Sequence, residues 1–216
     1  AGVDLGGTVG LAMPKSVYEM IRSSNQQLFD AFINFKKPMI VAPNGPAIGA
    51  SVTSGTLADA IIASDRATFS TPFSRLGVPP EGCSSIFFDR IMDQESAQRM
   101  LGPEGWAPTA AEAKEAGFVH DVVPHEEHMA FVQKTAEEWI KTGRPRTAAG
   151  KIPREEALLD ELRATNAQES IDLATAFLGE KFLNTQYEFA MEKNKPKVAK
   201  LFWYLKTTRP VWSLLL

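Results

Sequence analysis

From Ser16 onward the apolar residues Val17, Met20, Ile21, Leu28, Phe32 and Phe35 fall on one stripe of a 3.6-residue repeat. That spacing predicts a helix, closed by Lys36-Lys37-Pro38. The pattern then changes. Met39-Ile40-Val41-Ala42 is a short uninterrupted apolar run suited to a buried strand, and Pro43-Asn44-Gly45-Pro46 ends it as a dense turn signal. Gly49 to Ala60 reads as a helix of small residues, which let backbones approach closely; Ile61-Ile62-Ala63 and Thr68-Phe69-Ser70 follow as strands. Helix and strand therefore alternate over 16–70, which implies an α/β architecture with parallel pairing.

Beyond Pro79-Pro80 the periodicity is mostly helical. Helices are expected from about Gly82 to Ile91, from about Glu95 to Leu101, and over Ala110–Ala116, where Gly117 stands as the terminating glycine. Phe118-Val119 and Val122-Val123 supply a last short strand. After Pro124 the chain is helical in character, with a long amphipathic stretch from Arg154 to Glu192. Gly143-Arg144-Pro145-Arg146 has linker composition, so the expected division is a core over 1–145 and a helical region over 146–216 for core packing and oligomerisation. Residues 1–14 read as a glycine-rich loop. They begin without Met, and an N-terminal portion is expected to precede them.

Bulk properties narrow the function classes. A chain of 216 residues is long enough for one sizeable domain, or one domain with a packed extension. Its net charge of −3 argues against a general nucleic-acid or membrane-surface binder, so an anionic ligand would have to be held by local arrangement. No apolar run approaches the length of a membrane span. The single cysteine, Cys83, excludes an internal disulfide and a cysteine-built zinc site, and suits a reducing compartment such as cytosol, mitochondrial matrix or peroxisome. The final Leu214-Leu215-Leu216 does not match a Ser-Lys-Leu-type peroxisomal address.

Two places carry candidate chemistry. Val41 to Thr53 sets a strand, a tight turn and a helix in order, and the first amides of that helix have no intrahelical acceptor. Gly49 and Ala50 would let a ligand approach those amides, where an anion or developing oxyanion is stabilised. The bland alternative is a plain packing unit. Gly49-Ala50-Ser51-Val52-Thr53 also approaches the G-x-S-x-G nucleophile elbow, with Thr53 in place of the second glycine and His120, His125 and His128 as possible partners. The second place is Glu81, between Pro79-Pro80 and Gly82-Cys83-Ser84-Ser85 and near apolar Ile86, Phe87 and Phe88. Desolvation there would raise its pKa and suit it as a general base; alternatively it merely favours a helix N-terminus. Cys83 reads as a small buried filler, Phe202-Trp203-Tyr204 as a packing or subunit-contact cluster, and the lysines between Lys193 and Lys206 as a solvated face.

Four stretches in order resemble the crotonase (enoyl-CoA hydratase/isomerase) superfamily. Ala1-Gly2-Val3-Asp4-Leu5 resembles its S-A-G-x-D-L segment, and Pro38 to Gly49 its K-P-x-I-A-x-x-N-G-x-A-x-G signature. Ala58-Asp59-Ala60 through Gly77 and Thr109 to Val123 resemble its two later blocks. Leu76-Gly77-Val78-Pro79-Pro80-Glu81-Gly82-Cys83-Ser84-Ser85 resembles the L-G-x-x-P-E-G-C-S-S stretch of peroxisomal Δ3,Δ2-enoyl-CoA isomerases. The resemblance implies a crotonase (ClpP-like) spiral of ββα units with a C-terminal helical extension. It implies an oxyanion hole from the backbone N–H groups of Val3 and Ala50, with Ala1, Gly2, Asp4, Leu5 and Gly49 against the substrate. Glu81 would be the single acid–base, taking a proton from C2 of a 3-enoyl-CoA and returning it to C4. Hydratases of the family carry two glutamates at positions occupied here by Thr53 and Phe73, so water addition is not expected. An acyl-CoA thioester is the implied substrate, with no cofactor beyond its own CoA and no metal. Homotrimers or hexamers, fatty-acid β-oxidation and a peroxisomal location are the family expectations, with mitochondrial matrix or cytosol also open. The rival readings are a crotonase-fold enzyme of secondary metabolism and a non-catalytic acyl-CoA-binding or assembly module.

Overall fold

The computed structural model describes residues 13–216. Helix α1 (Pro14–Asn34) opens on proline, whose missing N–H costs nothing at a helix start. The face it buries is centred on Asn25, Phe29 and Ile33, while Met20, Leu28 and Phe35 stay exposed. The buried stripe is thus rotated from the one the apolar spacing predicts. Two contacts set the rotation: the backbone of Gly82 lies directly on the Phe29 ring, and Asn25 donates to the Ser170 hydroxyl at 3.1 Å.

The next strands build a repeating unit. Strand β1 (Ile40–Val41) is followed by β2 (Pro46–Ile48) and then by α2 (Ala50–Thr53), which continues as a 3-10 turn over Ser54–Leu57. Strands β3 (Ala60–Ser64) and β4 (Thr68–Ser70) repeat the pair, followed by α3 (Phe73–Leu76), α4 (Ser84–Ile91), α5 (Gln94–Leu101) and α6 (Ala110–Glu115); β5 (Asp121–Val123) begins a third unit. Strand β3 lies between β1 and β5 in one parallel sheet, with Ile40 opposite Ala60 and Ile62 opposite Asp121. Strands β2 and β4 pair in a second, with Ala47 opposite Phe69. The first two units therefore each give one strand to each sheet before the helical return, and this is the ββα spiral expected from the resemblance. All five residues of β3 are buried, as a strand covered on both faces requires.

Local departures from the expected elements have physical causes. Pro46, expected as the end of a turn, instead opens β2, and Gly49 takes up the next bend. The small-residue helix stops at Leu57, where Ala58 turns extended and Asp59 is drawn into a buried network. Phe118 and Val119 send their amides back to the Ala113 carbonyl, closing α6, so the last strand starts only at Asp121.

The C-terminal region comprises α7 (His128–Thr142), a hairpin of β6 (Thr147–Ala148) and β7 (Ile152–Pro153), then α8 (Glu156–Phe177), α9 (Glu180–Glu192) and α10 (Pro196–Trp212). The predicted stretch 154–192 is broken at Leu178-Gly179, where extended Gly179 caps α9. The main core gathers Phe29, Ile33, Phe69, Phe87, Phe88 and Phe118, and takes in Ala148, Ala149 and Leu162 from the hairpin and α8. A second cluster of Phe73, Val78, Leu173, Phe182, Leu183 and Phe202 joins α3 to the three last helices. Where the end of α1 meets β6 an ion pair, Arg146 to Asp59 at 2.5 Å, has both side chains buried. Asp59 also accepts from the amide of Met39 at 2.7 Å and from the amide of Thr147, so its lone pairs are satisfied.

Candidate active site

Glu81 stands on a short loop between α3 and α4. Gly77 ends α3 in the left-handed conformation, Pro79 and Pro80 stiffen the approach, and Gly82 and Cys83 turn the chain through two successive left-handed residues, φ 67° and 62°. For a non-glycine residue this conformation costs roughly 1–2 kcal/mol. A hydrogen bond of 2.7 Å from the Cys83 amide to the Glu169 carboxylate offsets the cost, and the Cys83 thiol donates to the Leu162 carbonyl at 3.3 Å. A side chain at position 82 would collide with the ring of Phe29. Glycine is therefore required there on two counts.

This loop brings the Glu81 carboxylate to the turn that starts α2. Its Oε1 lies 3.9 Å from the place a Cβ on Gly49 would occupy. Gly49 itself has φ 60° and ψ −124°, a region open essentially to glycine alone. Its carbonyl accepts from the amides of Val52 and Thr53, while the amide of Ala50 meets no acceptor among the described residues. Glu81, Gly49 and Ala50, far apart in sequence, are thus assembled at one point. Ala1, Gly2, Val3, Asp4 and Leu5 lie outside the described residues.

The environment changes the chemistry of the carboxyl. Burial, and secondarily the charge of Glu169, push the Glu81 pKa up from 4.5 to about 7. Such a group exchanges a proton readily near neutrality, which is what a general acid–base needs. The two positions where a hydratase carries glutamates hold no carboxylate: Phe73 lies in the second apolar cluster, and the buried Thr53 hydroxyl has no hydrogen-bond partner among the described residues.

The nucleophile-elbow arrangement does not assemble. The Ser51 hydroxyl donates to the Ile48 carbonyl at 2.8 Å, and the histidines are engaged elsewhere. His120 accepts from the Ile61 amide and lies 3.0 Å from the Ala149 carbonyl, His125 pairs with Ser64, and His128 meets the Ile62 carbonyl at 2.7 Å. Burial lowers the His120 pKa. These are ties between strands and their neighbours. Among the described residues no group of three or more His, Cys, Asp or Glu side chains forms a metal site, and no helix is long and apolar enough to cross a membrane.

One residue of the site escaped the sequence reading. Glu169, midway along α8, looks there like one more charge on a helix; only the packing of α8 against the Glu81 loop reveals it.

The family model of enoyl-CoA hydratase/isomerase matches residues 1–199. The chain belongs to the enoyl-CoA hydratase/isomerase family. Among its relatives, human "Enoyl-CoA delta isomerase 2" is 38% identical over 170 residues, which are 79% of this chain and 43% of that protein. Mouse "Enoyl-CoA delta isomerase 3, peroxisomal" is 46% identical over 99 residues, 46% of this chain and 31% of its own. Human "Chromodomain Y-like protein" is 45% identical over 93 residues, 43% of this chain and 15% of its own. This family member thus spans less than half the length of these curated relatives. Among solved structures, an enoyl-CoA hydratase/isomerase from Pseudoalteromonas atlantica superposes with a TM-score of 0.66 at 25% identity, covering 78% of this chain and 67% of the other.

Proposed function

We propose that this family member is a Δ3,Δ2-enoyl-CoA isomerase in which Glu81 is the single acid–base. The observation that carries the reading is one carboxyl of raised proton affinity set against the Gly49–Ala50 turn, with no second carboxylate at the hydratase positions. In the proposed reaction the Ala50 N–H, together with that of Val3, receives the thioester oxygen. Glu81 removes the C2 proton, the negative charge spreads through the dienolate to the oxygen, and the same carboxylic acid protonates C4. A single carboxyl is enough because the proton leaves and returns on one conjugated system. Each backbone donor to the oxygen would contribute about 2.7–4 kcal/mol to lowering the barrier. The relatives' printed names support the isomerase assignment, and a peroxisomal β-oxidation role in trimers or hexamers follows as the accompanying family expectation.

The test is turnover of a 3-enoyl-CoA by the purified chain. Glu81→Gln keeps the shape and removes the base, so kcat is expected to fall by about 10²–10⁴-fold. Equal, negligible rates from wild type and variant would replace the enzyme with the binding-module reading, which the similarity to Chromodomain Y-like protein keeps in view.

A further inference from the structure

Helix α4 begins without a cap from its own segment: its N-cap residue, Cys83, makes no side-chain bond to the first turn. The free amides are nevertheless satisfied. Glu169, from α8 and 86 residues distant, accepts from the Cys83 amide through Oε2 at 2.7 Å. Its Oε1 accepts from the Ser85 amide at 3.2 Å and from the Ser85 hydroxyl at 2.5 Å. On the opposite side of the same turn the Glu81 carbonyl accepts from the Ser84 amide at 3.2 Å and the Ser84 hydroxyl at 2.7 Å. The backbone on which Glu81 stands is therefore held both from α8 and within its own turn. Glu169 is only 6% exposed. Burying a carboxylate costs several kcal/mol, and a serine or aspartate at the N-cap would close the helix without that cost. A simple cap does not account for a second buried carboxylate placed beside the first.

We propose that Glu169 is a positioning residue for Glu81: its carboxylate clamps the first turn of α4 and so fixes the height of the Glu81 side chain over Gly49. The proposal rests on the reading of Glu81 as the acid–base. The clamp also has an electrostatic side. Glu169 raises the proton affinity of Glu81 after the larger effect of burial. Its own is raised by burial and opposed by its bonds from Ser85 and Cys83. The other titratable groups around the junction are Cys83 at the start of α4, Asp30 on α1, and Glu161 and Asp172 on α8. All are acidic, and Glu161 is itself paired with Arg90 of α4 at 2.6 Å. The donors that face the Glu169 carboxylate directly are the Cys83 and Ser85 amides and the Ser85 hydroxyl.

The test follows the Glu81 carboxyl directly, by carbon-13 NMR of the full chain across pH 4–9, alongside kcat and KM on a 3-enoyl-CoA. Glu169→Gln keeps the shape but removes the charge and the acceptor for the Cys83 amide. Its expected result is a downward shift of the Glu81 titration by roughly half a unit or more. The inflection in the pH–rate profile should move with it, and kcat should drop about tenfold or more with KM little changed. Glu169→Asp keeps the charge and shortens the reach: the titration should stay near that of wild type while kcat still falls. Should Glu169 variants fail to fold, Ser85→Ala leaves both carboxylates in place and removes one bond of the clamp, with kcat expected to fall several-fold. A folded Glu169→Gln protein whose Glu81 titration and Cys83 and Ser85 amide shifts match wild type would overturn the proposal, as would an unchanged kcat in Ser85→Ala. A wild-type protein without isomerase activity would sink the functional reading alone, because the titration and amide shifts still decide the clamp.

Discussion

Gly49 shows how magnitudes separate two kinds of damage. A methyl group there would sit 3.9 Å from Glu81 Oε1, an ordinary contact, so collision with the carboxylate is not the obstacle. The backbone is. At φ 60° and ψ −124° an alanine is strained by about 1–3 kcal/mol, and the cheapest relief is to rotate the peptide that presents the Ala50 N–H. Gly49→Ala is therefore expected to lower the melting temperature by a few degrees and kcat by tenfold or more, measured by calorimetry and by turnover. Glu81 makes a second prediction with a definite sign. As the proposed base it must be ionised, so kcat/KM should climb with pH through about 7. Stability runs the other way. The folded state holds this proton more tightly than the unfolded chain, so the contribution is complete below about pH 4.5 and is lost as pH rises through about 7. Some of the residue remains open to solvent, which makes roughly 3 kcal/mol a ceiling. Glu81→Gln should accordingly melt above wild type at pH 8 and converge with it near pH 5.

The short elements owe their limits to buried polar contacts more than to propensity. The end of α1 has neither a C-cap glycine nor a basic residue in its last turn, yet its carbonyls are covered. Arg146 donates to those of Phe32 and Phe35, and Arg154 to that of Ile33. The same Arg146 holds Asp59, which fixes where the 3-10 turn after α2 stops and β1 begins. Removing one partner of such a pair leaves the other charged and dry. Asp59→Asn is expected to lose about 3–5 kcal/mol in urea unfolding, far more than the loss of an exposed pair such as Arg66–Glu126. These contacts explain what periodicity alone does and does not reveal. The run Ile61-Ile62-Ala63 announces its own strand because both faces are covered, whereas Pro46 reads as the end of a turn and Pro46–Ile48 becomes a strand only by pairing with β4. The helical stripe of α1 is misjudged by the sequence because Asn25, a polar residue, occupies the buried face and the aromatic Phe35 does not.

Taken together, the molecule is stitched by contacts between distant segments. Glu81, Gly49 and Ala50 stand out in sequence as candidates because each sits in a short local pattern that also carries the family resemblance. Glu169 is invisible there, since nothing around it on α8 distinguishes it from the solvated glutamates of the same helix. The main core likewise runs from α1 through the two sheets into the β6–β7 hairpin and α8, so the helical region completes the interior as well as extending it. That continuity gives Cys83 an unplanned use. Its thiol is fully enclosed, its acidity is suppressed by burial, and its hydrogen bond ends on α8. A disulfide reagent is expected to reach it only through an opening of the core, and a separation of α8 from the start of α4 would expose it while breaking the proposed clamp on Glu81. Labelling should be slow in the native protein and accelerate in Leu162→Ala before any loss of helical circular dichroism. The single thiol is a built-in clock for how often the Glu81 loop comes undone.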